Sequence, residues 1–222
     1  MDASALRLSL ELAALTTVGL LVLGIPLAQW LATTAFRGKV IAETIVSMPL
    51  VLPPTVLGYY LLVAFGNRSP LGQAWIRLTG HPLAFSFAGL LVASLLYSLP
   101  FAVQPFAASL SRVDKRLVEA SWSLGVSRLA TFFEITLPLA APGIVAGAVL
   151  TFAHTLGEFG VVLMVGGNLP GETRTLSIAI FDSVEKLDYA SANATALFLL
   201  VVSFAVLLVT HVLRQSVWTT RS

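Results

Sequence analysis

His154 and Glu158 are the residues of this chain whose types and spacing come closest to chemistry. They stand four apart, so any helix that holds both puts them on one face. Such a pair could begin a metal site or an acid–base site. A metal site needs more than two ligands, and the chain has no cysteine to add. No third ligand and no partnered nucleophile is apparent, so the ordinary alternative is a hydrogen-bonded polar pair between helices. ATP chemistry is absent too. The one Gly-Lys pair, Gly38-Lys39, lacks both the earlier glycine and the following hydroxyl of a phosphate-binding loop. The residues point to a chain that is not an enzyme, with no metal and no cofactor of its own.

The elements that must position this pair are strongly apolar. The chain has 222 residues, 57% of them hydrophobic and 11% charged, with a mean hydropathy of +0.89. Soluble domains carry roughly 25% charged residues. The composition predicts one all-α integral membrane domain over residues 6–213, without room for a second, soluble domain. The net charge of +2 is dispersed among span ends and says nothing of nucleic acid. The first apolar run, Leu12 to Ala35, exceeds the roughly 7–15 residues of a signal-peptide core and follows no basic cluster.

About 20 apolar residues cross the hydrocarbon core, and on that ruler about five spans are predicted. They lie near Leu10–Ala35, Ile41–Phe65, Phe85–Ala108, Leu139–Val165 and Ala194–Leu213. If spans alternate, one side holds Arg37, Lys39, Arg112, Lys115, Arg116, Arg128, Arg214 and Arg221. The other holds Arg7, Arg68, Arg77, Arg174 and Lys186, with most of the acids. The excess of positive charge predicts a cytoplasmic first side, an external N-terminus and a cytoplasmic C-terminus. Prolines interrupt the spans: Pro49, Pro53 and Pro54 in the second, Pro100 and Pro105 in the third, Pro142 in the fourth. These either kink ordinary packing or mark a path that rearranges. Gly143 and Gly147 suit close helix contact.

Glu158 follows Pro138 by twenty residues, roughly 30 Å of helix, which predicts a position near the outer face. An acid buried there is a functional candidate, to cap a broken helix or to close a gate by hydrogen bonds between paired subunits. A headgroup-level residue is the alternative. Pro53, Pro54, His154, Gly157, Glu158, Phe159 and Gly160 are the candidate path and gate residues.

Between the third and fourth spans lies a polar island, residues 111–138. Asp114 is placed to cap a helix from Lys115, and Gly125 to end it. Leu117, Ala120, Ser121 and Leu124 then share a face. Ser127 is placed to cap a second short helix, with Pro138 starting the next span. This elbow would present Glu119 to the cytoplasm.

The island resembles the cytoplasmic loop motif of permease subunits of bacterial ABC importers. That motif is Glu-Ala-Ala, three residues, Gly, nine residues, then Ile-x-Leu-Pro. It is matched at Glu119, Ala120, Gly125, Ile135, Leu137 and Pro138, with Ser121 where the second alanine usually stands. The resemblance implies a type I importer permease whose loop docks into a separate ATPase subunit, which would hold the ATP and Mg. It further implies a homodimer, two ATPase copies and a periplasmic binding protein. Residues 48–62 and 156–180, including Gly157-Glu158-Phe159-Gly160 and Pro170-Gly171-Glu172-Thr173-Arg174-Thr175, look like molybdate importer permeases in the bacterial inner membrane. Val161 departs from the alanine of many relatives. Tungstate and sulfate importers share the loop motif and are the near alternatives. An ATPase-independent channel or ion-coupled transporter is a further one.

Overall fold

The computed structural model describes residues 2–219, with side chains as far as Leu208; Arg221, counted above on the basic side, lies outside the described residues. The described residues are helical throughout, without strands. In chain order the helices are α1 (Ala3–Thr33), α2 (Lys39–Val51), α3 (Pro54–Phe65), α4 (Pro70–Thr79), α5 (Phe87–Leu110), α6 (Lys115–Ser123) and α7 (Arg128–Thr131). A π-helical turn, Phe132–Thr136, leads into α8 (Leu137–Leu156), followed by α9 (Gly160–Gly166), α10 (Leu176–Glu185) and α11 (Tyr189–Thr219).

Helix starts are set by short polar side chains that accept otherwise orphaned N–H groups. Asp2 caps α1 through Ser4 and Ala5, Ser69 caps α4, Ser86 caps α5, and Thr175 caps α10. In an apolar solvent an uncapped donor has no water to turn to, so these bonds are the local rule that divides the chain.

Among the described residues, four helices are long and apolar enough to cross a membrane: α1, α5, the run Arg128–Leu156, and α11 over Tyr189–Leu208. The second expected span is different. It is not one kinked helix but two short ones, α2 and α3, bent by 110° at Leu52–Pro53. Pro53 and Pro54 both lack an N–H, so the ladder cannot continue across them. The fourth expected span is also divided, ending at Leu156 and resuming at Gly160.

The centre of the fold is α1, α5 and α8. Gly19 of α1 abuts Leu95, and Gly24 abuts Val103 and Phe106, so α1 and α5 run in parallel. Helix α8 returns antiparallel, with the Ala140 carbonyl accepting from Ser109 and His154 level with Ser98. Phe106 is fully buried among Leu20, Ala28, Val103, Leu110, Ala140 and Ile144. A second cluster joins α3, α5 and α9, and a third joins α1, α5, α9 and α10.

Gly143 and Gly147 let α8 approach α5 closely. A Cβ on Gly143 would lie 2.3 Å from the Ser109 Cβ, and one on Gly147 2.7 Å from the Phe106 ring. The Gly-x3-Gly pair therefore packs within the chain. Gly143→Val should destabilise the fold by about 1–3 kcal/mol through overpacking. Thermal unfolding of the detergent-solubilised chain checks this, with a lowered midpoint as the expected outcome.

Candidate functional site

The polar island folds as an elbow. Asp114 accepts the N–H of Arg116 and starts α6. At its other end the N–H of Val126 bonds the Ser121 carbonyl and that of Gly125 bonds the Trp122 carbonyl. This is the Schellman closure, and it needs the left-handed conformation that Gly125 adopts at φ +83°. Ser127 caps α7 through Ala130. The Ser121 and Thr131 hydroxyls bond at 2.9 Å in a buried contact that ties α6 to α7. Arg128 lies 5.3 Å over the Trp122 ring, bracing the same corner.

The four residues expected to share a face of α6 are not alike in burial: Ser121 is buried while Leu117 and Leu124 are exposed, Leu124 to 83%. Glu119 and Ala120 are exposed on the outward side with them. Nor is the second short helix separate from the span. Residues Arg128–Leu156 form one continuous helix through the π turn that contains Ile135. Pro138 lacks a donor, and its ring would press the carbonyl of Glu134 in a regular helix. A wider turn relieves that clash without breaking the rod.

Leu137 and Pro138 begin α8, and His154, Gly157 and Glu158 stand where it ends. The Glu158 side chain is fully buried. Its Oε2 accepts from Ser94 Oγ at 2.6 Å, and its Oε1 accepts from Ser98 Oγ at 2.7 Å. Ser98 also meets His154 Nδ1 and Thr155 Oγ1, each at 2.9 Å. The His154 ring stacks on Phe101 at 3.8 Å between centroids and lies 4.9 Å from Tyr97. The pair read from the sequence is thus a hydrogen-bonded polar group, with Nδ1 and Oε1 3.4 Å apart. Among the described residues no group of three or more His, Cys, Asp or Glu side chains comes together to hold a metal.

Glu158 meets α5 partway along that helix. Ser94 and Ser98 lie seven and eleven residues into α5, roughly 10 and 16 Å from its start at Phe87. Its hydrogen-bond partners stand on α5 of the same chain. The break does not cap itself with this side chain; it sends it sideways. Ser94, Ser98 and Thr155 escaped sequence reasoning. The one available clue was a pair of serines one turn apart in an otherwise apolar span.

The two broken spans meet. A Cβ on Gly160, the first residue of α9, would lie 2.8 Å from Pro54 Cβ, and one on Gly58 of α3 2.8 Å from Met164 Cβ. Pro53 caps α3, its carbonyl accepting from Val56 and Leu57. Phe159 turns away, packing its ring 5.1 Å from Phe181 of α10. Beyond α9, residues 167–175 form a tight loop. The Leu169 carbonyl receives the N–H groups of Glu172, Thr173 and Arg174, and Thr173 donates to the Gly166 carbonyl. Arg174 then bonds Asn168, and Asn168 and Lys186 both bond Asp182.

With this geometry in place, the chain can be set beside known proteins. Residues 21–219 match the family described as binding-protein-dependent transport system inner membrane component. The molybdenum transport system permease protein ModB of Azotobacter vinelandii is 52% identical over 206 residues, covering 93% of this chain and 91% of that protein. The chain belongs to this permease family. The Escherichia coli K12 ModB is 40% identical, with 82% of this chain and 79% of that protein covered. A probable sulfate transport system permease protein cysT of Helicosporidium is 32% identical, with 96% and 79% covered. The fold is shared with a permease chain in a bacterial alginate ABC importer (TM-score 0.75, 18% identity, 96% and 78% covered). It is shared likewise with the MetNI methionine transporter (TM-score 0.73, 16% identity, 97% and 95% covered). This permease is accordingly a multi-pass inner-membrane transport subunit and not an enzyme.

The Lys186 ammonium, hydrogen-bonded at 2.7 Å, holds the Asp182 carboxyl below its ordinary value of 3.8; Asn168 and Arg174 add to this. A depressed folded-state value contributes stability above the ordinary pKa and loses it as pH falls through the folded one. Asp182→Asn should therefore melt below the wild type at neutral pH, and the gap should close as pH falls below 3.8. Thermal melts across that range check it.

Proposed function

We propose that the chain is the permease subunit of an ATP-driven molybdate importer, forming the path across the plasma membrane as a homodimer. The N-terminus lies outside and the C-terminus in the cytoplasm. The observation that carries this reading is the 52% identity, over nearly the full length, to a permease named for molybdenum transport. The sulfate permease relative, at 32%, supports the same architecture and favours its cargo less. Tungstate, a dianion of the same shape, stays within the same reading.

The geometry suits weak passage of an anion. Helices α5 and α8 contain no Lys or Arg, so nothing along them would hold a dianion tightly enough to stop its release. Selectivity then resides in a separate periplasmic binding protein that delivers the anion to the outer mouth.

The energy comes from a separate ATPase, one copy docking on each permease at Glu119, Ala120 and the exposed face of α6, with ATP and Mg bound on the partner. Ser121 and Gly125 shape that docking helix, and Ile135, Leu137 and Pro138 carry the load into α8. The rod Arg128–Leu156 has 29 residues, roughly 43 Å of helix. Displacement of α6, passed across the elbow by the Ser121–Thr131 bond, thus travels along this rod to the break after Leu156. ATPase closure and binding-protein docking bias one equilibrium between inward- and outward-open states through their different contacts with each.

Uptake of labelled molybdate by cells lacking and regaining the gene tests the cargo. Uptake that depends on the gene, is blocked by excess tungstate and is indifferent to sulfate is expected; dominance by sulfate would reassign it. Glu119→Arg should reduce uptake to background and abolish capture of the ATPase, with the permease level in the membrane unchanged. Uptake that survives this change would favour an ATPase-independent channel or ion-coupled transporter.

A further inference from the structure

Ser98 hydrogen-bonds three members of the buried group, Glu158, His154 and Thr155. Its hydroxyl has one hydrogen and two lone pairs. A carboxylate only accepts, so the hydrogen goes to Glu158 Oε1 at 2.7 Å. Ser98 must then accept from the Thr155 hydroxyl and from His154 Nδ1, each at 2.9 Å. This assigns the Nδ1–H form of His154 and leaves Ser98 with no unused valence. Ser94, one turn earlier on α5, supplies the donor for Oε2 at 2.6 Å. Both serines are fully buried, so no solvent can replace either donor.

Glu158 also lies in the break itself, two residues past the end of α8 at Leu156. Its N–H bonds the Thr155 carbonyl, and two residues on, Gly160 opens α9 against Pro54. The direction in which the chain leaves α8 is therefore tied to where the carboxylate is held. We propose that Ser98 is a positioning residue for transport: acting through Glu158, it holds the break between α8 and α9 against α5, which seats Gly160 on Pro54 and joins the two broken spans. This rests on the transport function proposed above and adds to it a residue outside the loop motif and outside the Gly157–Gly160 stretch.

The test is a double-mutant cycle with Ser98→Ala, Glu158→Gln and both together, in the full chain expressed with its ATPase and binding protein. Labelled molybdate uptake is measured per permease molecule in the membrane, and each purified chain is melted in detergent. Ser98→Ala is expected to lower the maximal uptake rate about tenfold, the scale of a lost hydrogen bond to a charged group. Half-saturating molybdate stays unchanged, because the binding protein sets it. The double variant falls no further than the worse single one, and the melting shifts likewise fail to add. Wild-type uptake from Ser98→Ala, or losses that multiply in the double variant, overturns the proposal. If Ser98→Ala does not accumulate, Ser94→Ala replaces it, with a smaller loss that vanishes in a Glu158→Gln background; a loss that persists there overturns the proposal. A wild type that moves no molybdate overturns the cargo instead, and the melting cycle still decides the coupling, additive shifts counting against it.

Discussion

A carboxylate carried into the interior of a membrane protein must find donors inside the fold, because desolvating an unpartnered charge costs several kcal/mol. Glu158 imposes that constraint here, and much of the surrounding arrangement follows from it. Two serines on successive turns of α5 aim their hydroxyls at its two oxygens, which sets how α5 is rotated about its axis relative to the end of α8. Close contact at Gly143 and Gly147 sets the separation of the same two helices further along. Polar geometry at one end and van der Waals contact at the other leave α5 and α8 little freedom to slide.

The break that follows Glu158 has its counterpart in the bend between α2 and α3. Breaks in a bilayer are tolerated where protein or a cavity satisfies the freed backbone groups. Here each break lies beside the other, through Pro54 and Gly160, and the short helices beyond them, α3 and α9, pack together around Gly58, Phe65, Val161 and Val165. A long unbroken rod leads from the exposed elbow to this junction. Rigid transmission and a locally divisible end are combined in one span, with the π turn allowing Pro138 to sit in the rod.

The legibility of this chain was uneven in a physically sensible way. Asp114 and Ser127 as caps, Gly125 as the helix end and the polar elbow between apolar spans were all readable, since each depends on contacts within a few residues. Prolines marked where span two would fail as a straight helix, but α8 runs through Pro142 and breaks after Leu156, where no proline stands. The prolines did not say that Pro53–Pro54 turns the chain by 110° while Pro138 leaves a helix continuous. Those outcomes depend on whether a neighbouring element can satisfy the freed groups.

By itself, then, the amino-acid sequence determined the solvent, the approximate limits of the apolar stretches, the family motif at Glu119 and the local caps. Hydropathy and short-range hydrogen bonds are properties of neighbouring residues, so they survive without a fold. Only the tertiary structure decided that Ser94 and Ser98 receive Glu158, that His154 meets Ser98, and that Gly160 rests on Pro54. These pairs are separated by about 60 to 100 positions along the chain, and which side chains meet depends on helix rotation and crossing, which hydropathy does not specify.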